Sequence, residues 1–185
     1  MQTYTYKAND DGQSFTVMTY EGDDSHVTVP ELYCAKLVTI LYDRLFAGHA
    51  EITAVHLPDA ITDLGEFVFD GCTGLRHIEL PAALKYLWGQ TFARCAVEEI
   101  ILPNGITAIP PYAIKECKFL RRVVCGSGLK KIYGGAFAGC TGLEELICGN
   151  DVEISADAGI NPGTVRRGGD DDAARRGTPG STRAQ

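Results

Sequence analysis

A chain of 185 residues with 45% apolar and 22% charged side chains is long enough to bury a core and about the size of one domain. Its net charge of −7 lacks the basic footprint of a nucleic-acid-binding protein. No run approaches the roughly 18 apolar residues of a membrane-crossing helix, and no two of the seven cysteines are spaced C-x-x-C as in a zinc knuckle or redox pair.

The opening MQTYTYKANDDGQS is polar throughout and acidic from Asp10. It has neither the basic nor the apolar region of a secretory signal, so the chain as written reads as cytoplasmic. Residues 1–26 alternate in the manner of two or three short strands, broken at Asp11-Gly12 and again near Gly22, and are expected to form a β-rich amino-terminal cap.

From there the chain repeats itself. FDGCTGL at Phe69 returns as FAGCTGL at Phe137, and alignment on the phenylalanine gives five copies, beginning at Phe46, Phe69, Phe92, Ile114 and Phe137. The steps are 23, 23, 22 and 23 residues, the short one reflecting a residue missing after Cys95. In each copy two apolar positions stand two apart, as in Val55/Leu57, Ile78/Leu80 and Ile100/Leu102, which is the signature of a short strand with one buried face. Pro58, Pro81 and Pro103, then Gly126 and Gly149, end these strands. Inward positions such as Ile61 and Leu64 follow before the next turn. One unit cannot bury its apolar side alone, whereas stacked units with parallel strands can, so the copies predict a solenoid over residues 27–154. Val29 and Val38 are nine apart where later copies have four, which places an insertion in the first unit.

The phrase I-x-x-L-x-x-x-x-F-x-x-C-x-x-L-x-x-I-x-L-P resembles the BspA-like leucine-rich repeat family, known from bacterial and protozoan surface proteins. The resemblance covers residues 27–150, and departs from the pattern at Ile114, which replaces Phe, and at His49, which replaces Cys. It implies an α/β, right-handed leucine-rich-repeat solenoid, with a parallel sheet on the concave face and short turns or helical pieces on the convex face. It also implies recognition of a protein or host-surface ligand, with the cell surface as the alternative location.

Cys72, Cys95, Cys117 and Cys140 share one repeat position, and Cys125 and Cys148 another, so they read as two core ladders of small apolar side chains. His56, His77 and Glu79 offer zinc-ligand types on adjacent strands but read as solvated surface; no cofactor site is expected, and GSG at 126–128 reads as a turn.

Outward columns mark the expected binding face. Thr53, Arg76, Glu98, Arg121 and Glu144 form one, and Ala54, His77, Glu99, Arg122 and Glu145 its neighbour, with alternating charge that suits strand registry. The third ends in Ile101, Val124 and Ile147, three apolar residues on the solvent side, flanked by Arg121, Arg122 and Phe119. Residues Ile101, Val124, Ile147, Arg121, Arg122, His77 and Glu99 are therefore the candidate partner-binding set. Residues 155–185 carry no Phe, Leu or aromatic residue and are expected to be a disordered tail, whose Arg clusters are offset by Asp170, Asp171 and Asp172. The expected function is a non-enzymatic protein-interaction module. The rivals are a protein that self-assembles through its carboxy-terminal edge, and a small hydrolase using His56, His77 and Glu79 or Asp63.

Overall fold

The computed structural model describes residues 1–168. It is a parallel β-solenoid of about seven turns with almost no helix. An antiparallel pair, β1 (Thr3–Ala8) and β2 (Ser14–Glu21), starts the chain, and β2 then pairs in parallel with β5 (Lys36–Leu41). β3 (His26–Thr28) lies on a second side, paired with β6 (Ala54–His56). The insertion between Val29 and Val38 is β4 (Leu32–Tyr33), which turns back onto β5 through Cys34 and Ala35, both left-handed at φ 50° and 61°. Such a two-residue turn matches strand twist. Tyr33 stacks on Tyr6 with ring centroids 4.0 Å apart, pinning the insertion to the first hairpin.

Each later turn of the solenoid has three sides. On the first, β7 (Asp63–Leu64) and β8 (Tyr86–Leu87) extend the sheet from β5, and β10 (Ala108–Ile109), β12 (Lys131–Ile132) and β14 (Glu153–Ile154) form a second stack at the same repeat position. The two stacks do not pair. Pro110 follows Ile109 where Tyr133 N–H, one turn later, donates to Ile109 C=O at 3.0 Å; proline has no N–H to make the equivalent bond to Leu87. On the second side, β9 (Glu99–Ile101), β11 (Arg122–Val124), β13 (Glu145–Cys148) and β15 (Val165–Arg167) form a parallel sheet.

The third side is an unbroken spine. Phe46 N–H donates to Val68 C=O at 2.9 Å, Phe69 to Thr91 at 2.8 Å, Phe92 to Ala113 at 2.8 Å, Ile114 to Ala136 at 2.9 Å and Phe137 to Ala158 at 2.8 Å. Phe46, Phe69 and Phe92 are fully buried and stacked, with centroids 5.5 and 5.3 Å apart. The cysteines of the first ladder lie beside them and donate to backbone: Cys72 Sγ to Phe46 C=O at 3.1 Å, Cys95 to Phe69 at 2.8 Å, Cys117 to Phe92 at 2.9 Å and Cys140 to Ile114 at 2.8 Å. The thiols are thus hydrogen-bond donors as well as apolar filling. Burial pushes the Cys72 and Cys125 thiols up to about 12 and Cys95 well above the usual thiol range. Cys34 is the only exposed cysteine. A thiol reagent is therefore expected to label Cys34 alone in the native protein and the other six only after unfolding; ready native labelling of Cys95 or Cys117 would contradict the buried ladder.

Two expectations change. The α/β class gives way to an almost wholly β and turn structure; among the described residues the one helical element is the 3₁₀ turn Pro162–Thr164. The segment that leads into each spine turn passes through a left-handed residue at one repeat position: Arg44, Phe67, Gln90, Tyr112 and Gly135, at φ between 58° and 69°. A left-handed residue in every turn leaves no room for a helical run. Residues 155–168, assigned from sequence to a disordered tail, instead continue the repeat. Asp157 and Ala158 C=O accept from Gly135 and Phe137 N–H at 2.8 Å each, and β15 pairs in parallel with β13. The carboxy-terminal edge expected at Cys148 is covered by this segment. The remainder of that tail, residues 169–185, lies outside the described residues.

Candidate functional site

The predicted columns fall on the second side in register: Arg122 lies between Glu99 and Glu145, Val123 between Ile100 and Leu146, and Val124 between Ile101 and Ile147. Opposite charges meet across the strands. Arg76 reaches Glu98 at 2.9 Å, Arg121 reaches Glu144 at 3.3 Å, and Arg122 bonds Glu99 on one side and Glu145, at 2.8 Å, on the other. Hydrogen bonds to these two carboxylates hold the Arg122 guanidinium above its ordinary value. Arg166, which the sequence reading placed in the tail, extends the ladder by reaching Glu145 at 2.7 Å.

The apolar column is not uniformly exposed. Ile101 is 55% exposed, Ile147 is half-buried and Val124 only 6% exposed, because Val124 is flanked on both strands by a β-branched neighbour. Ile101 is exposed because the rung before it fails to pair. The strand expected at Arg76–Leu80 does not form; among the described residues its one backbone bond to a neighbouring turn is Glu98 N–H to Arg76 C=O at 3.0 Å. The break adjoins the short repeat, in which Ala96-Val97 replaces the Thr73-Gly74-Leu75 of the preceding turn. Ile78 and Leu80, buried in the sequence reading, are consequently half-exposed.

Clefts lie on both sides of this unpaired rung. One of about 590 Å³ is lined by His77, Ile78, Leu80, Glu99 and Ile101, so three of the predicted site residues share it. The other, about 440 Å³, is lined by His26, His56, His77 and Glu79 over Val55 and Ile78. Both volumes fall in the range of small-ligand pockets. Among the described residues no three His, Cys, Asp or Glu side chains converge as metal ligands. Asp63, the alternative acid of the hydrolase reading, sits in β7 on the first side and accepts from Thr62 Oγ1 at 2.8 Å, away from the His77 cleft. His49 occupies its cysteine position by bonding Glu51 at 2.6 Å against the Tyr20 ring. Phe119, 56% exposed, lies under the Arg76 guanidinium at 5.6 Å. Among the described residues no helix is long and apolar enough to cross a membrane.

Sequence reasoning missed the clefts, since a strand pattern does not reveal whether the strand pairs. It also missed a row of exposed aromatics on the first side: Tyr42, Tyr86, Trp88 and Tyr133. Their signal is a spacing of about twice the repeat, from Tyr42 to Trp88 to Tyr133.

Solved structures share the fold. A leucine-rich repeat protein of T. pallidum is 28% identical with a TM-score of 0.75, the match covering 78% of this chain and 68% of that one. A leucine-rich repeat protein of Bacteroides ovatus is 22% identical with a TM-score of 0.61, over 78% of this chain and 45% of the other. The pneumococcal vaccine antigen PcpA is 18% identical with a TM-score of 0.67, over 77% of this chain and 35% of the antigen. No curated protein matches the chain. The BspA type leucine rich repeat region matches residues 39–158 in six copies, one more than alignment on the phenylalanine gives, and the chain belongs to that family.

Proposed function

We propose that this chain is a non-enzymatic protein-interaction module whose partner docks on the β9–β11–β13 face, the concave face of the family reading, with Ile101 at the centre. The carrying observation is that Ile101 is 55% exposed at the edge of the 590 Å³ cleft. A β-branched apolar side chain beside a half-open core is an anchor point, and Arg121 and Arg122 next to it are residues of the type that dominate interfaces. Val124 and Ile147 serve as the floor, while His77 and Glu99 line the polar rim. A cell-surface setting, which the family resemblance implies, suits such a module.

The full chain should retain a protein partner in a pull-down that an Ile101→Lys, Arg121→Glu variant releases. Truncating a central anchor costs 2 kcal/mol or more, about thirtyfold in affinity. Both residues are exposed, so the fold should survive the change. An unchanged set of partners at unchanged affinity would overturn this location.

A further inference from the structure

The first side of the solenoid carries a surface complementary to itself. Two outward columns flank the buried Leu41, Leu64, Leu87, Ile109 and Ile132 and the half-buried Ile154. One reads Tyr42, Gly65, Trp88, Pro110, Tyr133 and Ser155 along six successive rungs. Large exposed rings alternate with small residues: Tyr42 is 48%, Trp88 51% and Tyr133 41% exposed. With rungs roughly 4.8 Å apart, ridges recur about every 9.6 Å, with a groove between each pair. The other column reads Ile40, Asp63, Tyr86, Ala108, Lys131 and Glu153, with Tyr86 55% exposed.

A twofold axis along the strand direction, placed between the Trp88 and Pro110 rungs, reverses the order of the rungs and keeps each column opposite itself. Trp88 then faces the second copy's Pro110, Tyr133 faces its Gly65 and Tyr42 faces its Ser155, so every ridge meets a groove. In the other column Tyr86 meets Ala108 and Asp63 meets Lys131, a large residue against a small one and an acid against a base; Ile40 and Glu153 meet only at the margin. Asp63 makes no salt bridge among the described residues, and Lys131 reaches Glu153 at 2.8 Å on the exposed side of the sheet. The axis falls where the ladder between β8 and β10 is already interrupted. Glycan stacking or a hydrophobic partner would explain exposed rings, but neither requires Asp63 and Lys131 to be related by the same axis as the rings and grooves.

We propose that two copies of this chain pair face to face through the Tyr42–Trp88–Tyr133 column, antiparallel along their solenoid axes, as an isologous dimer. The two inner faces pack as aligned sheets do, about 10 Å apart with interdigitated side chains. This surface is on a different side from the Ile101 cleft, and the proposal does not depend on that reading.

Charge exchange tests it. Sedimentation velocity on the full chain should show a species of twice the monomer mass. Asp63→Lys and Lys131→Asp should each give monomers with an unchanged circular dichroism spectrum, because each homodimer would then carry like charges at both symmetry-related contacts. Mixing the two variants should restore a dimer. At one contact the lysine introduced by Asp63→Lys faces the aspartate introduced by Lys131→Asp, and at the other the native Lys131 of the first variant faces the native Asp63 of the second. Trp88→Glu, at an exposed position, should also give monomers and guards against misfolding at half-buried Asp63. A monomeric wild-type chain overturns the proposal. So does a dimer unaffected by Trp88→Glu, or a failure of two folded monomeric charge variants to recombine.

Discussion

Replacing Phe69 by alanine is expected to lower the unfolding free energy by about 3–5 kcal/mol, the largest effect of any single truncation in the spine. Phe69 is fully buried and lies between two rings, Phe46 at 5.5 Å and 19° on one side and Phe92 at 5.3 Å and 10° on the other. The alanine variant loses both stacks and leaves a cavity that the backbone cannot close, because Phe69 N–H and C=O are held by Thr91 and the Cys95 thiol at 2.8 Å each. Phe137 differs: its neighbour in the spine is Ile114 and no ring stacks on it among the described residues, so Phe137→Ala should fall lower in the range. Equilibrium urea unfolding measures both. A loss below about 1 kcal/mol for Phe69→Ala at unchanged denaturant slope would mean that the spine does not carry the core. Since domains are stable by roughly 5–15 kcal/mol, the expected loss is at least about a fifth of the total in a protein of ordinary stability.

The Phe and Cys positions were legible because the spine demands the same shape at every turn; a ring under a ring and a thiol under a carbonyl leave few alternatives. The strands were legible where the period-2 pattern and the ladder agree, as at Ile100/Leu102 and Leu146/Cys148. At Ile78/Leu80 the pattern is equally good and the strand is missing. Pairing depends on the offset between neighbouring turns, and the residue lost after Cys95 alters that offset without touching the Ile78/Leu80 pattern itself. The same limit applies to exposure. Ile101, Val124 and Ile147 are alike in sequence, but their burial follows from which neighbours lie alongside, and only Ile101 borders the break. Residues 155–168 were illegible for a further reason. Their attachment rests on backbone hydrogen bonds and the Arg167 side chain, with Ala158 in the core and Ile160 and Val165 packed against it, so no Phe or Leu at the repeat position announces them.

Removing everything after Asn150 is expected to unfold or aggregate the protein, whereas ending the chain at Gly168 should leave it as stable as the full chain. The segment 151–168 closes the last turn on all three sides. On the first, β14 pairs with β12; on the second, β15 pairs with β13; on the spine, Ala158 C=O receives Phe137 N–H, and its side chain, 1% exposed, packs against the core. Arg167 closes the end by donating from one guanidinium nitrogen to the carbonyls of Gly149 at 3.0 Å and Val152 at 2.6 Å. Without this segment Ile132, Phe137 and Leu146, all fully buried in the intact chain, lose their cover. Uncovering large apolar side chains costs about 1.5–3 kcal/mol each when fully exposed, so full exposure of three would cost about 4.5–9 kcal/mol, comparable with the roughly 5–15 kcal/mol that stabilises a domain. The bare edges of β12 and β13 would also offer unpaired backbone to other chains, the usual route from an open parallel edge to aggregation. Within residues 1–168, Arg167→Ala separates the side-chain closure from the strands. It should lower the melting temperature by a few degrees without aggregation, since it leaves carbonyls at the surface where water can reach them. A 1–150 chain that stays soluble and melts with the full-length protein would show that the spine alone stabilises the solenoid and that the last turn is not its cap.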